Sequence, residues 1–520
     1  MGALAHLGEA LALHAELFPE KIGAGDLERK MTFRLWYTRA CRLANALGGI
    51  GLNRGDRVCV LAYNCVEWLE IYAAAALAGV VAVPINFRLT GPEARFIIEN
   101  CDARALIVQD ELVEVIESVR AELALAAGAF IHFGGRACPA GYRSYEDLLA
   151  QSRDSRPSVV VMSDDTWTLM YTSGTTGKPK GAIRNHRGGA MLSLVTEVEL
   201  GISRNDAALL VMPMCHANSL YFYGAFSYCG ASCTVYSRKH FDPEHLIRTL
   251  ADGGSTFTSL VPTHYSMMLD LPATARSRYN VDAVTKLMIS SAPARRETKL
   301  AIMDYFKNSG LFELYGSTEA GWVTMLHPEE QFTKLGSVGR ECVGSRPIHL
   351  LDSQGNEVPA GEPGELYSCN DYTFNGYWKL PDKTKEAFRG DYCTVGDMAR
   401  RDSDGYIYLV DRKSNMIISG GENVYPSEVE ELLGSHDKVK YVAVIGLTDT
   451  TWGERVHAVI VPRDGATPSE AEIMEWCRSR IAGYKRPRSV SFISDDEMPR
   501  TSTGKIQHRL LRLQQEGRRS

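Results

Sequence analysis

From Arg57 to Gly316 the chain alternates short, β-branched apolar runs with stretches of helical character: "RVCVLAY", "VVAVPIN", "ALIVQD", "AALLVMP", "SCTVYS", "TFTSLVP", "LMISSA" and "LFELYG". That alternation is the pattern of βαβ units, in which helices cover both faces of mostly parallel sheets. The runs are too numerous for one comfortable sheet, so the fold class read here is α/β with two subdomains side by side. After Gly336 the texture changes. "LLDSQGNEVPAGEPGELYSCN" packs turn signals between short strands and leaves no room for long helices, which predicts a compact antiparallel β subdomain at about 336–411. From about Asn415 a small α+β domain is expected. Its helices start at Pro426 in "PSEVEELL" and at Pro468 in "TPSEAEIMEWC", the latter with a Thr467–Glu470 capping box. Its strands are "YVAVIGL", "HAVIVPR" and "SVSFIS".

The 520 residues are 45% hydrophobic, enough for several cores, and a formal charge of −6 gives no general electrostatic reason to bind nucleic acid. The N-terminus carries acidic residues inside its apolar stretch and has no basic start, unlike a signal peptide, and His6 stands where a myristoylation signal has Ser or Thr. The longest apolar run, Ile71 to Ile85, is bounded by Asn64, Glu67 and Glu70, so no transmembrane segment is predicted. Twelve cysteines are scattered without a Cys-x-x-Cys pair, which predicts reduced thiols and a cytoplasmic location.

"MYTSGTTGKPKGAI", Met170 to Ile183, stands out against this apolar background. It fails the Walker pattern: Thr172 occupies the place of the first glycine, and Pro179 that of the Mg²⁺-binding hydroxyl. Its chemistry still suits phosphate. Thr172, Ser173, Thr175 and Thr176 offer hydroxyl donors, Gly174 and Gly177 let the backbone approach, and Lys178 and Lys180 supply charge. Taken alone, such a loop is equally a solvated surface loop. "LYGSTEAG" ends another apolar run, with Tyr315 placed to stack on a base, Thr318 to hold a phosphate and Glu319 to offer carboxylate oxygen to Mg²⁺. Asp397 and Arg412 fall near a domain junction, and Lys505 lies in a Gly-containing turn close to the C-terminus.

In this order and over nearly the whole length, these pieces resemble the adenylate-forming superfamily of acyl-CoA synthetases, adenylation domains and luciferases, and most of all its acyl- and aryl-CoA synthetase (AMP-forming) branch. The resemblance implies an ATP-dependent acid–CoA ligase. A carboxylate attacks the α-phosphorus of MgATP to give acyl-AMP and pyrophosphate, and the thiol of coenzyme A then displaces AMP to form a thioester. It also implies a large domain at 1–412, a hinge at 413–415 and a mobile C-terminal domain at 416–520. The hinge position usually holds Asp or Lys, and here it is Ser414.

By the same resemblance, the Thr172–Lys180 loop holds the β- and γ-phosphates. Tyr315, Gly316 and Ser317, with the Ser291-Ala292-Pro293 turn, line the nucleotide. Asp397 and Arg412 bond the ribose hydroxyls, and Thr318, Glu319 (the metal ligand), His216 and Lys505 make up the catalytic set. Coenzyme A is assigned to Arg88, Gly420, Gly421, Glu422, Lys485 and Arg486. The acyl pocket draws on His216, Asn218, Tyr221, Phe222, His264, Ser290, Trp322 and Met325, an apolar and partly aromatic set with a few polar groups. That set suits a hydrophobic monocarboxylate: aryl, alicyclic or medium-chain. A carnitine- or crotonobetaine-like acid, or an acceptor other than coenzyme A, stays open, as does the choice between monomer and homodimer.

Overall fold

The eight apolar runs all become strands, and they sort into two sheets. The computed structural model describes residues 6–172, 178–290, 294, 296–419, 422–478, 480–501 and 504–517. By internal contacts the chain divides into two compact units. The first is Met1–Pro347 with Ser368–Cys393, and the second is Ile348–Tyr367 with Thr394–Ser520.

In the first unit, a seven-stranded sheet runs in the order Arg143–Ser144, Phe130–Phe133, Ala103–Gln109, Arg57–Leu61, Val81–Ile85, Thr166–Thr172 and Lys180–Asn185. Its strands are parallel except for the last, which returns antiparallel through the Met170–Ile183 segment, with Thr172 opposite Lys180. A nine-stranded sheet takes Ala207–Leu210, Ser232–Val235, Phe257–Leu260, Lys286–Ser290 and Gly310–Ser317 in parallel. Gly321–Leu326 doubles back on Gly310–Ser317, and Arg340–Glu341 closes that edge. Toward the opposite edge lies Ile22–Asp26, parallel to Ser232–Val235 and a strand that the sequence reading does not anticipate, with Lys30–Thr32 antiparallel to it as the edge strand.

One core serves both sheets. It runs from Val58, Val60 and Ala82 of the seven-stranded sheet to Ala208, Leu210 and Phe257 of the nine-stranded sheet, through the helices Phe33–Gly49, Glu67–Ala78 and Ala217–Cys229. Glu67–Ala78 is buried on every face, as its continuous apolar sequence requires. Its two carboxylates are paired: Glu70 with Arg39 at 2.6 Å and with the Tyr145 hydroxyl at 2.7 Å, and Glu67 with Arg29. The twelve cysteines are free thiols, all buried except Cys138 and Cys229. Among the described residues, no helix is long and apolar enough to cross a membrane.

The second unit has two sheets of its own. One is four-stranded and antiparallel, in the order His349–Leu351, Gly364–Tyr367, Asp397–Arg401 and Ile407–Arg412. The other contains Glu422–Val424, Ile417–Ser419, Gly453–Pro462 and Val439–Asp449, with Ser489–Phe492 parallel to Gly453–Pro462. Alternate residues of Val439–Asp449 point to opposite faces. Val444 packs with Val429 and Leu433 of helix Pro426–Gly434, while Ala443 and Ile445 pack with Leu511 of helix His508–Gly517.

Pro426 opens its helix as expected. The next helix corrects the reading: it begins at Glu470, not Pro468. Ser469 accepts the Glu472 N–H at 3.2 Å and donates its own N–H to the Glu472 carboxylate at 3.5 Å. A Ser-x-x-Glu box set two residues later therefore wins over Thr467–Glu470.

Candidate active site

In the first unit, the expected nucleotide residues gather where the two sheets meet. Thr172 ends its strand with its hydroxyl donated to Glu319 Oε1 at 3.2 Å, and the Tyr377 hydroxyl donates to the same oxygen at 2.9 Å. Glu319 is 7% exposed, so its carboxylate is held by hydroxyls and not by bulk water. Lys180 Nζ lies 4.1 Å from the centre of the Tyr377 ring, and Lys178 Nζ lies 5.8 Å from that of Phe96. Ser173, Gly174, Thr175, Thr176 and Gly177 lie outside the described residues, as do Ser291, Ala292 and Pro293.

Tyr315, Gly316 and Ser317 finish the strand Gly310–Ser317, where the pairing with Gly321–Leu326 slips register after Tyr315. A Cβ on Gly316 would stand 2.4 Å from the Gly321 carbonyl oxygen, so only glycine permits this close return of the backbone. The Ser317 hydroxyl accepts the Ala320 N–H at 2.9 Å and holds the turn that carries Thr318 and Glu319. The Thr318 carbonyl accepts the Tyr221 hydroxyl at 3.0 Å.

Tyr221 belongs to helix Ala217–Cys229 and packs edge-on against Trp322, with ring centres 5.1 Å apart. The Trp322 indole N–H is tied to Thr196 Oγ1 at 2.8 Å. One turn earlier on the same helix, Asn218 donates to Ser290 at 2.8 Å and to Ser259 at 3.2 Å, a polar node at two strand ends. His216 precedes the helix and gives its carbonyl to the Leu220 N–H. Phe222 is fully buried against Phe257 and Trp322, and Met325 is 2% exposed, so both belong to the core. His264 stacks flat on Phe241 at 4.0 Å, and burial pushes its pKa down to about 4, so it is a neutral imidazole at pH 7. Arg88 has its guanidinium 5.8 Å from the Phe87 ring centre.

In the second unit, Asp397 and Arg412 stand opposite one another in the four-stranded sheet, with Nε and Oδ1 3.1 Å apart. Lys505 sits in a closed turn. The Thr501 N–H donates to the Lys505 carbonyl at 2.7 Å, the Lys505 N–H to Thr501 Oγ1 at 3.1 Å, and Arg500 bridges Ile506. Gly504, with φ of +82°, makes the turn possible. Although the residue is exposed, partial desolvation of its ammonium and the like charge of Arg412 hold its pKa below the usual lysine range, against the pull of Asp397. Lys485 is engaged by both oxygens of Glu428 at 2.7 Å, and Arg486 Nε donates to the Ile481 carbonyl at 3.1 Å. Glu422 is exposed at the start of its strand, and Gly420 and Gly421 lie outside the described residues.

Three contributors escaped the sequence reading. Tyr377 holds Glu319 and gives no local signal. Arg184 donates Nη1 to the carbonyls of Thr318 at 3.3 Å and Glu319 at 3.1 Å; its signal was a charge inside the apolar strand "GAIRN". Asp411 accepts the Ser427 N–H at 2.9 Å and the Asn415 side chain at 3.1 Å, capping helix Pro426–Gly434 from outside it. Burial raises its pKa above the usual carboxylate range.

The oxygens of Glu319 and Thr172 form a hard donor set that suits Mg²⁺. Among the described residues, no group of three or more His, Cys, Asp or Glu side chains forms a metal cage. One protein carboxylate completed by phosphate oxygens is the usual Mg²⁺ arrangement.

The family model described as AMP-binding enzyme matches residues 11–378, and that described as AMP-binding enzyme C-terminal domain matches 428–505. A feruloyl-CoA synthase of an Amycolatopsis species is 35% identical over 509 residues, covering 96% of this chain and 97% of that protein. An indoleacetate–CoA ligase of Aromatoleum aromaticum is 33% identical, covering 96% of each. The crystal structure of an anthranilate CoA ligase in complex with anthranoyl-AMP superposes with a TM-score of 0.88 at 28% identity, covering 99% of each chain. The o-succinylbenzoate CoA synthetase of Bacillus subtilis, in complex with ATP and magnesium ion, superposes at 0.84 with 25% identity, covering 96% of this chain and 98% of that one.

Proposed function

The chain belongs to the family of AMP-binding enzymes, and on that premise we propose that it is an acid–thiol ligase joining a hydrophobic monocarboxylate to coenzyme A through an acyl-AMP intermediate. The observation that carries this reading is the Glu319 carboxylate, fixed by Thr172 at the root of a Ser/Thr/Gly/Lys hairpin. The nucleotidyl-transfer step leaves the protein little covalent chemistry. Its work is to align the carboxylate with the α-phosphorus and to balance the charge that develops.

The hydroxyls and lysines of the Thr172–Lys180 segment take the β- and γ-phosphates. Glu319 and Thr172 hold Mg²⁺, which when bound neutralises phosphate charge. Tyr315, Gly316, Ser317 and the Ser291-Ala292-Pro293 turn receive the adenosine, Asp397 and Arg412 the ribose hydroxyls, and Lys505 the charge that grows between carboxylate and α-phosphate. Coenzyme A is assigned to Arg88, Gly420, Gly421, Glu422, Lys485 and Arg486. A hinge at 413–415 moves residues 416–520 between the two half-reactions, with Ser414 small enough to absorb the rotation. The working location is the cytoplasm.

The acid is aryl by preference. The edge-on pair of Tyr221 and Trp322 supports this, as does the aromatic character of the acids named for the feruloyl, indoleacetate and anthranilate relatives. The test is pyrophosphate release from MgATP across a panel of carboxylic acids, with and without coenzyme A. Release with aryl acids, and thioester formation when the thiol is added, is the expected result. Absence of both thioester synthesis from supplied acyl-AMP and pyrophosphate release from every acid would overturn the reading.

A further inference from the structure

Arg184 is a guanidinium in an apolar strand, 3% exposed, and no carboxylate among the described residues forms an ion pair with it. Burying a charge in this way costs free energy unless its hydrogens meet good acceptors. The acceptors it meets are two consecutive backbone carbonyls, Thr318 O at 3.3 Å and Glu319 O at 3.1 Å, both taken by the same nitrogen, Nη1. Its Cζ lies 5.2 Å from the centre of the Tyr221 ring, and the Tyr221 hydroxyl donates to the same Thr318 carbonyl at 3.0 Å. The Glu319 carbonyl is further bound by the Phe374 N–H at 2.7 Å. Two consecutive peptide units are thus clamped through their carbonyls. Nη2 is buried with no protein partner among the described residues, so the clamp, and not general hydrogen-bond satisfaction, accounts for where this side chain points.

We infer that Arg184 is a positioning residue for adenylation. By holding the Thr318–Glu319 backbone, it sets the direction of the Glu319 carboxylate toward Mg²⁺ and of the Thr318 hydroxyl toward phosphate. Through the face of Tyr221 it ties that direction to the helix carrying Asn218. The inference rests on the ligase reading for the identity of the step, and on geometry alone for the clamp. Its effect is confined to the first half-reaction, because the β- and γ-phosphates have left before the thiol attacks.

The test compares wild type with Arg184→Met and Arg184→Lys. With Arg184→Met, pyrophosphate release should fall at least about tenfold in kcat, in line with the loss of precise placement near reacting groups. The Mg²⁺ concentration for half-maximal rate and the calorimetric Kd for MgATP should both rise by about fivefold, while thioester formation from supplied acyl-AMP changes by less than about twofold. Arg184→Lys, which keeps one cationic donor, should recover part of each loss. A lowered Tm with unchanged Kd for MgATP and unchanged Mg²⁺ dependence would reduce Arg184 to a structural residue and overturn the inference. If the Met variant does not fold, Tyr221→Phe removes one hydroxyl from the same carbonyl and should shift the MgATP Kd in the same direction; no shift there overturns it too. The calorimetric readout needs no acid, so failure of the ligase reading and failure of this inference are separable.

Discussion

Thr172 and Glu319, 147 positions apart, share a 3.2 Å hydrogen bond between the end of one sheet's strand and the turn of the other's. The bond joins the root of the proposed phosphate loop to the proposed metal carboxylate, and Tyr377 donates to the same oxygen. Thr172→Val and Tyr377→Phe each remove one donor from Oε1. A hydrogen bond to a charged acceptor contributes about 1.5–3 kcal/mol, so each change should raise the Mg²⁺ half-saturation by about tenfold or more. Titrating Mg²⁺ at fixed ATP in the pyrophosphate assay measures it, and no shift in either variant would remove these hydroxyls from the metal site.

Lys505→Ala should lower pyrophosphate release by about a hundredfold or more, the scale of losing one preorganised charge at a reacting centre. Thioester formation from supplied acyl-AMP should survive. In the proposed role the charged ammonium is the working form, and its pKa lies below the usual lysine range, so the rate should fall as pH rises through that lowered pKa. Lys505→Arg should move this alkaline limb upward; a limb that stays in place would belong to another group.

Burial pushes His186 down to about 3, and both its ring nitrogens lack protein partners among the described residues. Its folded pKa lies below the unfolded value, so its stability contribution is fully present above about pH 6.5 and is lost as pH falls toward 3, at up to about 1.4 kcal/mol per pH unit. The ring packs against Trp167, at 6.1 Å, and His6, at 5.4 Å. His186→Phe keeps that packing and removes the titration. Its Tm should match or exceed wild type at pH 7 and fall less between pH 6 and pH 4. Parallel acid limbs for the two proteins would contradict this.

Glu197 is the opposite case. Burial raises its carboxyl to about 7, and its buried Oε1 has no protein partner among the described residues. Here the folded pKa lies above the unfolded value, so ionisation costs stability as pH rises from about 4 to 7. Glu197→Gln should raise the Tm, more at pH 8 than at pH 4. An equal gain at both pH values would trace the effect to the amide's hydrogen bonds instead.

Much of the fold was legible because the parallel strands are buried on both faces, which writes them as continuous β-branched runs such as "VVAVPIN". Ile22–Asp26, sequence "IGAGD", carries no such signal. It is a strand because Cys233 and its neighbours, some two hundred positions away, give it a partner. The helix cap at Ser469 was misplaced because Thr467 and Ser469 both satisfy the same spacing rule, and only the folded backbone chooses between them. Among the candidate residues, those proposed to act by side-chain chemistry could be picked out by motif: Glu319, Asp397, Arg412 and the turn lysine Lys505. Those that act by holding a backbone, Arg184 and Asp411, could not. Their partners are carbonyl and amide groups that every residue possesses, so the sequence shows at most an oddly placed charge, as Arg184 in "GAIRN", and not what it holds.

The second unit is drawn from two stretches of chain, Ile348–Tyr367 and Thr394–Ser520. During synthesis the strands His349–Leu351 and Gly364–Tyr367 are made before Asp397–Arg401, the strand that pairs with Gly364–Tyr367. The first unit, nearly complete at Pro347, has time to fold alone, whereas the second has to wait for its later stretch. A chain stopped at Cys393 would therefore carry a finished first unit and an orphaned hairpin, with unpaired strand edges open to other nascent chains.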